Sequence, residues 1–138
     1  MILGMLESTL EKGPCFVITD PDLPDNPIIY ASPAFCAHTL YSKEEVENRN
    51  CRFLQGANTR PEDKATIKNA VAKSIPCSVC ILNYRKDGST FNNQFFLTPI
   101  HLEDGVTVAY FLGVQAEVPT MAPNKDRENP GYKIFHYF

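Results

Sequence analysis

Residues 77–118 read CSVCILNYRKDGSTFNNQFFLTPIHLEDGVTVAYFLGVQAEV. Three runs rich in β-branched and aromatic residues, 77–86, 90–101 and 106–118, are separated by Lys86-Asp87-Gly88-Ser89 and Glu103-Asp104-Gly105. Asp-Gly between such runs signals a hairpin, because Gly adopts the positive φ of a tight turn without steric penalty. Two consecutive hairpins predict an antiparallel meander. Upstream, residues 62–74 place Ile67, Ala70 and Val71 on one helical face, opening after Pro61 with Glu62 and Asp63 in the first turn, where the helix dipole favours acids. Further upstream CFVIT (15–19) and IIYAS (28–32) read as strands around the Pro/Asp-rich turn DPDLPDNP (20–27). From Pro33 to about Arg60 the period of two is lost. Short helices are expected over 33–39 and 43–47, the second capped by Ser42 with Glu45 at the capping-box position. Two strands, a helical middle and three more strands predict an α+β domain, a five-stranded antiparallel sheet with helices over one face.

The ends differ in character from this body. Ile2, Leu3, Leu6 and Leu10 recur at helical spacing and predict an amphipathic helix within 1–14 that ends near Gly13-Pro14. Residues 119–131 lack apolar periodicity and read as a linker, followed by the aromatic tail YKIFHYF. The expected division is therefore 1–14, a domain over 15–118, and 119–138. A length of 138 residues with 43% hydrophobic residues fits one packed domain. Thirteen Lys plus Arg against sixteen Asp plus Glu give a net charge of −3, without the basic excess expected of a nucleic-acid binder. No apolar run approaches the roughly 18 residues of a membrane span, and Glu7 and Glu11 interrupt any signal-peptide core, so a soluble cytoplasmic protein is expected.

Five cysteines, Cys15, Cys36, Cys51, Cys77 and Cys80, are an odd number in a chain that does not need staples, so reduced thiols are expected. The Cys77-x-x-Cys80 pair lies in a strand run, which puts the two thiols on opposite faces about 10 Å apart, unsuited to a disulfide or a metal. No metal site is expected.

The run Asn50-Cys51-Arg52-Phe53-Leu54-Gln55 places a thiol, a cation and two amides within six residues. NCRFLQ resembles the signature of LOV domains, the flavin-binding blue-light sensors of the PAS superfamily. FVITDPDLPDNPIIYAS, LNYRKDGSTFNNQFFLTP and YFLGVQ resemble the same family in the same order, so the resemblance covers about residues 15–118. It implies a PAS-like fold and a noncovalent flavin, usually FMN with FAD or riboflavin as alternatives, between sheet and helices. It also implies that Cys51 is the photoactive residue whose sulfur bonds reversibly to flavin C4a after blue-light excitation. Arg52 corresponds to the arginine on the flavin phosphate. Lys64 and Lys68, at i and i+4 on one helix face, can approach the same dianion. Where this chain has Lys68 the family commonly has Arg, so a bidentate contact becomes a point charge.

Asn50, Gln55, Asn83 and Asn93 match the amides that hydrogen-bond the ring and the ribityl chain. With a plain two-residue turn at 87–88, Asn83 would pair with position 92; one extra residue, as in a glycine bulge at Gly88, puts Asn83 and Asn93 on one face. The local sequence leaves both open, and the resemblance implies the bulge. In the last strand Phe111, Gly113 and Gln115 share a face, Gly113 allowing close backbone approach to a flat ligand. Gln115 is similar to the family's switching glutamine, whose amide rotates when the ring nitrogen beside the reaction centre turns from acceptor to donor. Val17, Thr19, Asn26, Leu54, Ile67, Val71, Phe95, Leu97 and Phe111 match other pocket positions. Cys15 shares the face of Val17 and Thr19 and is expected as a second thiol near the flavin. Asn48 stands where the family usually has Gly, and Asn is the residue best able to replace Gly at a left-handed helix end.

The expected function is blue-light photoreception without substrate turnover, with output through the terminal segments and a homodimer built from them. The alternatives are a flavin-free PAS ligand or interaction module and a flavin redox enzyme, for which no substrate motif is seen.

Overall fold

The structure, a computed structural model, describes residues 13–119. The apolar residues of the expected N-terminal helix, the linker beyond residue 119 and the aromatic tail, and with them the homodimer the terminal segments were expected to build, lie outside the described residues.

Strands β1 (Phe16–Thr19), β2 (Ile28–Ala31), β3 (Cys77–Tyr84), β4 (Thr90–His101) and β5 (Val108–Val118) form one antiparallel sheet in the order β2-β1-β5-β4-β3. Helices α1 (Pro33–Thr39), α2 (Lys43–Val46) and α3 (Pro61–Lys73) and a 3-10 turn at Cys51–Leu54 connect the two halves of the sheet. The α+β architecture expected from the sequence is present.

Local chemistry explains the element ends. Ser32 Oγ accepts from Phe35 N (3.2 Å) as the cap of α1 and from Phe16 N (3.0 Å) in β1, so one hydroxyl ties helix to sheet. Ser42 and Glu45 form the reciprocal capping box of α2. Asn48 adopts φ +66°, the left-handed conformation anticipated for it. β5 begins two residues later than the sequence pattern predicts because Asp104 Oδ1 accepts the amides of Val106 and Thr107, both at 2.8 Å, and holds them in the turn.

The β3–β4 register is set by its loop. Arg85 N donates to Ser89 O (2.7 Å) and Gly88 N to Arg85 O (2.9 Å), which leaves Lys86-Asp87-Gly88 as a three-residue connection with Gly88 at φ +88°. Asn83 lies opposite Phe91, and Ile81 opposite Asn93. Asn83 and Asn93 therefore point to the same side as diagonal neighbours, the outcome that an added glycine residue predicts.

The buried core is divided. One cluster comprises Val17, Ile28, Ala31, Phe35, Val46 and Leu54; the other comprises Ala70, Val79, Ile81, Phe95, Leu97 and Phe111. Among the described residues no helix is long and apolar enough to cross a membrane.

Candidate functional site

A cavity of about 590 Å³ opens between the sheet and the helical layer, lined by members of both core clusters. This lies within the roughly 300–1,000 Å³ typical of sites that enclose a small organic ligand. Its sheet wall is Thr19 from β1, Ile81 and Asn83 from β3, Asn93, Phe95 and Leu97 from β4, and Gln115 from β5. Alternation along the strands puts these side chains on one face, and Phe95 lies directly opposite Gln115. The opposite wall is Asp25 and Asn26 from the β1–β2 loop, Asn50, Cys51, Arg52, Leu54 and Gln55 around the 3-10 turn, and Lys64, Ile67, Lys68, Val71 and Ala72 from α3.

The sheet wall carries unspent hydrogen-bonding capacity. Thr19 Oγ1, Asn93 Oδ1 and Gln115 Oε1 are buried without a partner, as is Asn26 Oδ1 across the cavity. Asn93 Nδ2 donates to Asn83 Oδ1 (3.0 Å), so the two amides are already oriented relative to each other. A buried polar atom left unpaired costs roughly 1–3 kcal/mol, and four of them around one cavity are the signature of a ligand with a polar edge. Asn50 is more committed: its Oδ1 caps the 3-10 turn at Arg52 N (3.0 Å) and its Nδ2 donates to Asp25 O (2.8 Å).

Cys51 opens the 3-10 turn and borders the cavity, half-buried. Burial pushes its thiol up to about 12, so the sulfur is protonated throughout the neutral range. The lining also carries exposed charge: Arg52, Lys64 and Lys68 border the cavity with Asp25, whose carboxylate pairs with Arg52.

Three residues expected on the lining are not there. Val17, Phe111 and Gly113 share the correct face, but Val17 and Phe111 are 1% and 2% exposed within the two core clusters. At Gly113 an added Cβ would lie 2.8 Å from Phe95 Cε1, so the space left by the missing side chain is filled by that ring rather than left open to a ligand. Cys15 is also off the lining. It packs against the first core cluster, its thiol pushed up to about 12 by burial and by neighbouring Cys36. Cys77 and Cys80 fall on opposite faces of β3, Cys77 against the second core cluster and Cys80 opposite Gln94. Among the described residues no group of acidic, His and Cys side chains is arranged to hold a metal.

Asp25, Ala72 and Ile81 line the cavity without having been anticipated. Two of them carried a signal: Ile81 is two residues before Asn83 on the same strand face, and Ala72 is one helical turn beyond Lys68.

Residues 13–118 match the family described as PAS domain. The chain is 44% identical over 102 residues to a blue-light-activated histidine kinase of Brucella ovis, covering 74% of this chain and 21% of that protein. It is 43% identical over 129 residues to blue-light-activated histidine kinase 1 of Erythrobacter litoralis, covering 94% and 36%. The chain thus spans about a fifth to a third of the curated relatives it matches. Among solved structures, the light state of the Aureochrome1 LOV domain superposes with a TM-score of 0.74 at 40% identity, covering 94% of this chain and 95% of that one. The LOV domain of the Erythrobacter litoralis EL346 kinase gives 0.74 at 34% identity, covering 78% and 98%. A five-stranded sheet in this order, a cysteine on the lining of a cavity that also carries amides, and these likenesses place the chain in the LOV family of PAS domains.

Proposed function

We propose that this domain senses blue light by holding FMN noncovalently in the cavity, with Cys51 as the reversible bonding partner. The observation that carries the reading is the placement of a protonated, half-buried thiol on a cavity whose walls hold four unpartnered polar atoms. Flavin, when bound, would supply the absorption of blue light and an electrophilic ring carbon; Cys51 would supply the sulfur for that carbon and give up its thiol proton to the ring. Asn83, Asn93 and Gln115 would hold the polar edge of the ring, Ile67, Val71, Leu54, Phe95 and Leu97 its faces, and Arg52, Lys64 and Lys68 the phosphate. Leu54 is 2% exposed and Leu97 5%, so these two parts of the walls are closed to bulk water.

Gln115 would carry the signal. An amide presents an acceptor or a donor according to its rotation, so it can follow a change of protonation on the ligand. Its backbone N–H donates to Cys15 O (2.9 Å), and its strand pairs with β1, so a disturbance there reaches both ends of the domain. The output we propose is altered docking of 1–14 and 119–138; relatives of this chain are named blue-light-activated histidine kinases.

The test is direct. The purified chain should be yellow, bleach under blue light and recover in the dark. A colourless preparation that takes up no added flavin would favour a PAS module for another ligand. A Gln115→Leu variant should still bleach, while the light-dependent change in hydrogen exchange at 1–14 and 119–138 shrinks.

A further inference from the structure

Asp25 is the one carboxylate on the cavity lining among the described residues. Its side chain pairs with Nη2 of Arg52. Lys64 and Lys68 have no carboxylate partner among the described residues, while Arg60 turns away to Asp63 (3.0 Å) and Glu62 (3.7 Å). The position of Asp25 is fixed by its backbone, at φ +67° followed by Asn26 at +47°, with its carbonyl held by Asn50 Nδ2. Its carboxylate is therefore kept beside the cation that would meet a phosphate. The Arg52 and Asp25 side chains are 58% and 57% exposed, so water screens the pair and a dianion can displace one partner by another at little cost.

We propose that Asp25 is a specificity-determining residue: its carboxylate competes with the phosphate of FMN for Arg52 and sets how far the site prefers FMN over riboflavin. The inference rests on the flavin reading above. An anion beside Arg52 lowers the gain from a phosphate and leaves the neutral ribityl end of riboflavin unaffected. Removing that anion should raise the preference in proportion to the worth of one exposed ion pair.

The experiment is equilibrium titration of the flavin-stripped full chain with FMN and with riboflavin, read by flavin fluorescence, at about 0.05 M and about 1 M salt. Asp25→Asn keeps a residue tolerant of positive φ. It should raise the FMN-to-riboflavin affinity ratio roughly threefold to fivefold at low salt, without changing riboflavin affinity, and the gain should vanish at high salt. Asp22→Asn, a carboxylate of the same loop off the lining, should not move the ratio. In an Arg52→Gln background the effect of Asp25→Asn should shrink, because the competed cation is gone. An unchanged or lowered ratio in Asp25→Asn, or the same gain with Arg52 absent, overturns the proposal; a lowered ratio would make Asp25 a positioning residue for Arg52. If the unsubstituted chain binds neither flavin, the flavin reading fails and the inference falls with it.

Discussion

The buried amides and the exposed charges of the cavity lining offer a ligand opposite means of recognition. On the sheet wall the groups are neutral amides and a hydroxyl, buried to the extent that Asn93 is 1% exposed and Gln115 6%. The charges are in contact with water. A buried amide contributes through the penalty incurred when it is left unpaired, which is large, directional and indifferent to salt. An exposed charge contributes a fraction of a kcal/mol to about 1 kcal/mol, in any direction, and only while the ionic strength is low. Recognition of the ring and recognition of the phosphate should therefore separate cleanly in experiment.

The largest expected effect breaks the photochemistry while leaving both sets of groups intact. Cys51→Ala should retain flavin and lose the dark-recovering bleach entirely, read as absorbance before and after blue light, because the nucleophile is removed at a site tolerant of a small apolar side chain. Cys15→Ala should bleach and recover as the unsubstituted chain does, since Cys15 is off the cavity lining. Persistence of reversible bleaching in Cys51→Ala would overturn the assignment of Cys51.

The buried amides are tested next. Asn93→Leu should weaken FMN and riboflavin alike, by about tenfold or more, because it leaves donors on the ligand unanswered in a buried site. The loss should be the same at low and high salt; a loss confined to FMN would mean that Asn93 acts on the phosphate.

A smaller effect is expected at the exposed charges. Lys64→Gln and Lys68→Gln should each lower FMN affinity by up to about fivefold at low salt and leave riboflavin unchanged. Equal affinity of the unsubstituted chain for the two flavins would show that this basic face is merely solvated.

The smallest effect concerns pH. The folded chain holds the Cys51 proton to about 12, against an ordinary 9.0, so folded protein binds more protons than unfolded protein within that window. Stability is thus fully present below pH 9 and falls as pH rises from 9 towards 12. Cys15, up to about 12, and Cys77, up to about 11, contribute in the same sense. The loss in unfolding free energy from urea titration between pH 8 and pH 10 should be shallower in Cys51→Ala, by less than the roughly 1.4 kcal/mol per pH unit that one fully shifted group allows. An identical slope in the two proteins would mean that the Cys51 thiol is exposed.

Much of this was legible in the sequence wherever one residue type had one job. The Ser42–Glu45 box is a local device and stands where its chemistry predicted, whereas Asn48 at positive φ and the glycine that closes the β3–β4 loop stand where the family resemblance implied them. Neither a period of two nor one of 3.6 runs through 50–55, and its 3-10 turn was not anticipated. The lining was harder. Alternation says which face a residue takes, but not whether a neighbour stands in front of it, and the Phe95 ring covering Gly113 is a contact between strands that no single-strand pattern encodes. Asp25 was passed over for a related reason: its neighbour Asn26 carried the family pattern, and the pairing with Arg52 joins residues 27 positions apart.

The three-residue connection Lys86-Asp87-Gly88 gives the domain a point of fragility outside the cavity lining. Because side chains alternate, deleting one of those residues would favour pairing in a shifted register, with either Asn83 or Asn93 rotated to the outside of the sheet. Surface loops normally absorb insertions and deletions; this one would not. Losing a single codon there could blind the domain while leaving every cavity residue in the sequence, and a folded but colourless product would be its mark. On the flavin reading, length in this loop would itself be inherited information about colour, which the cysteine is not.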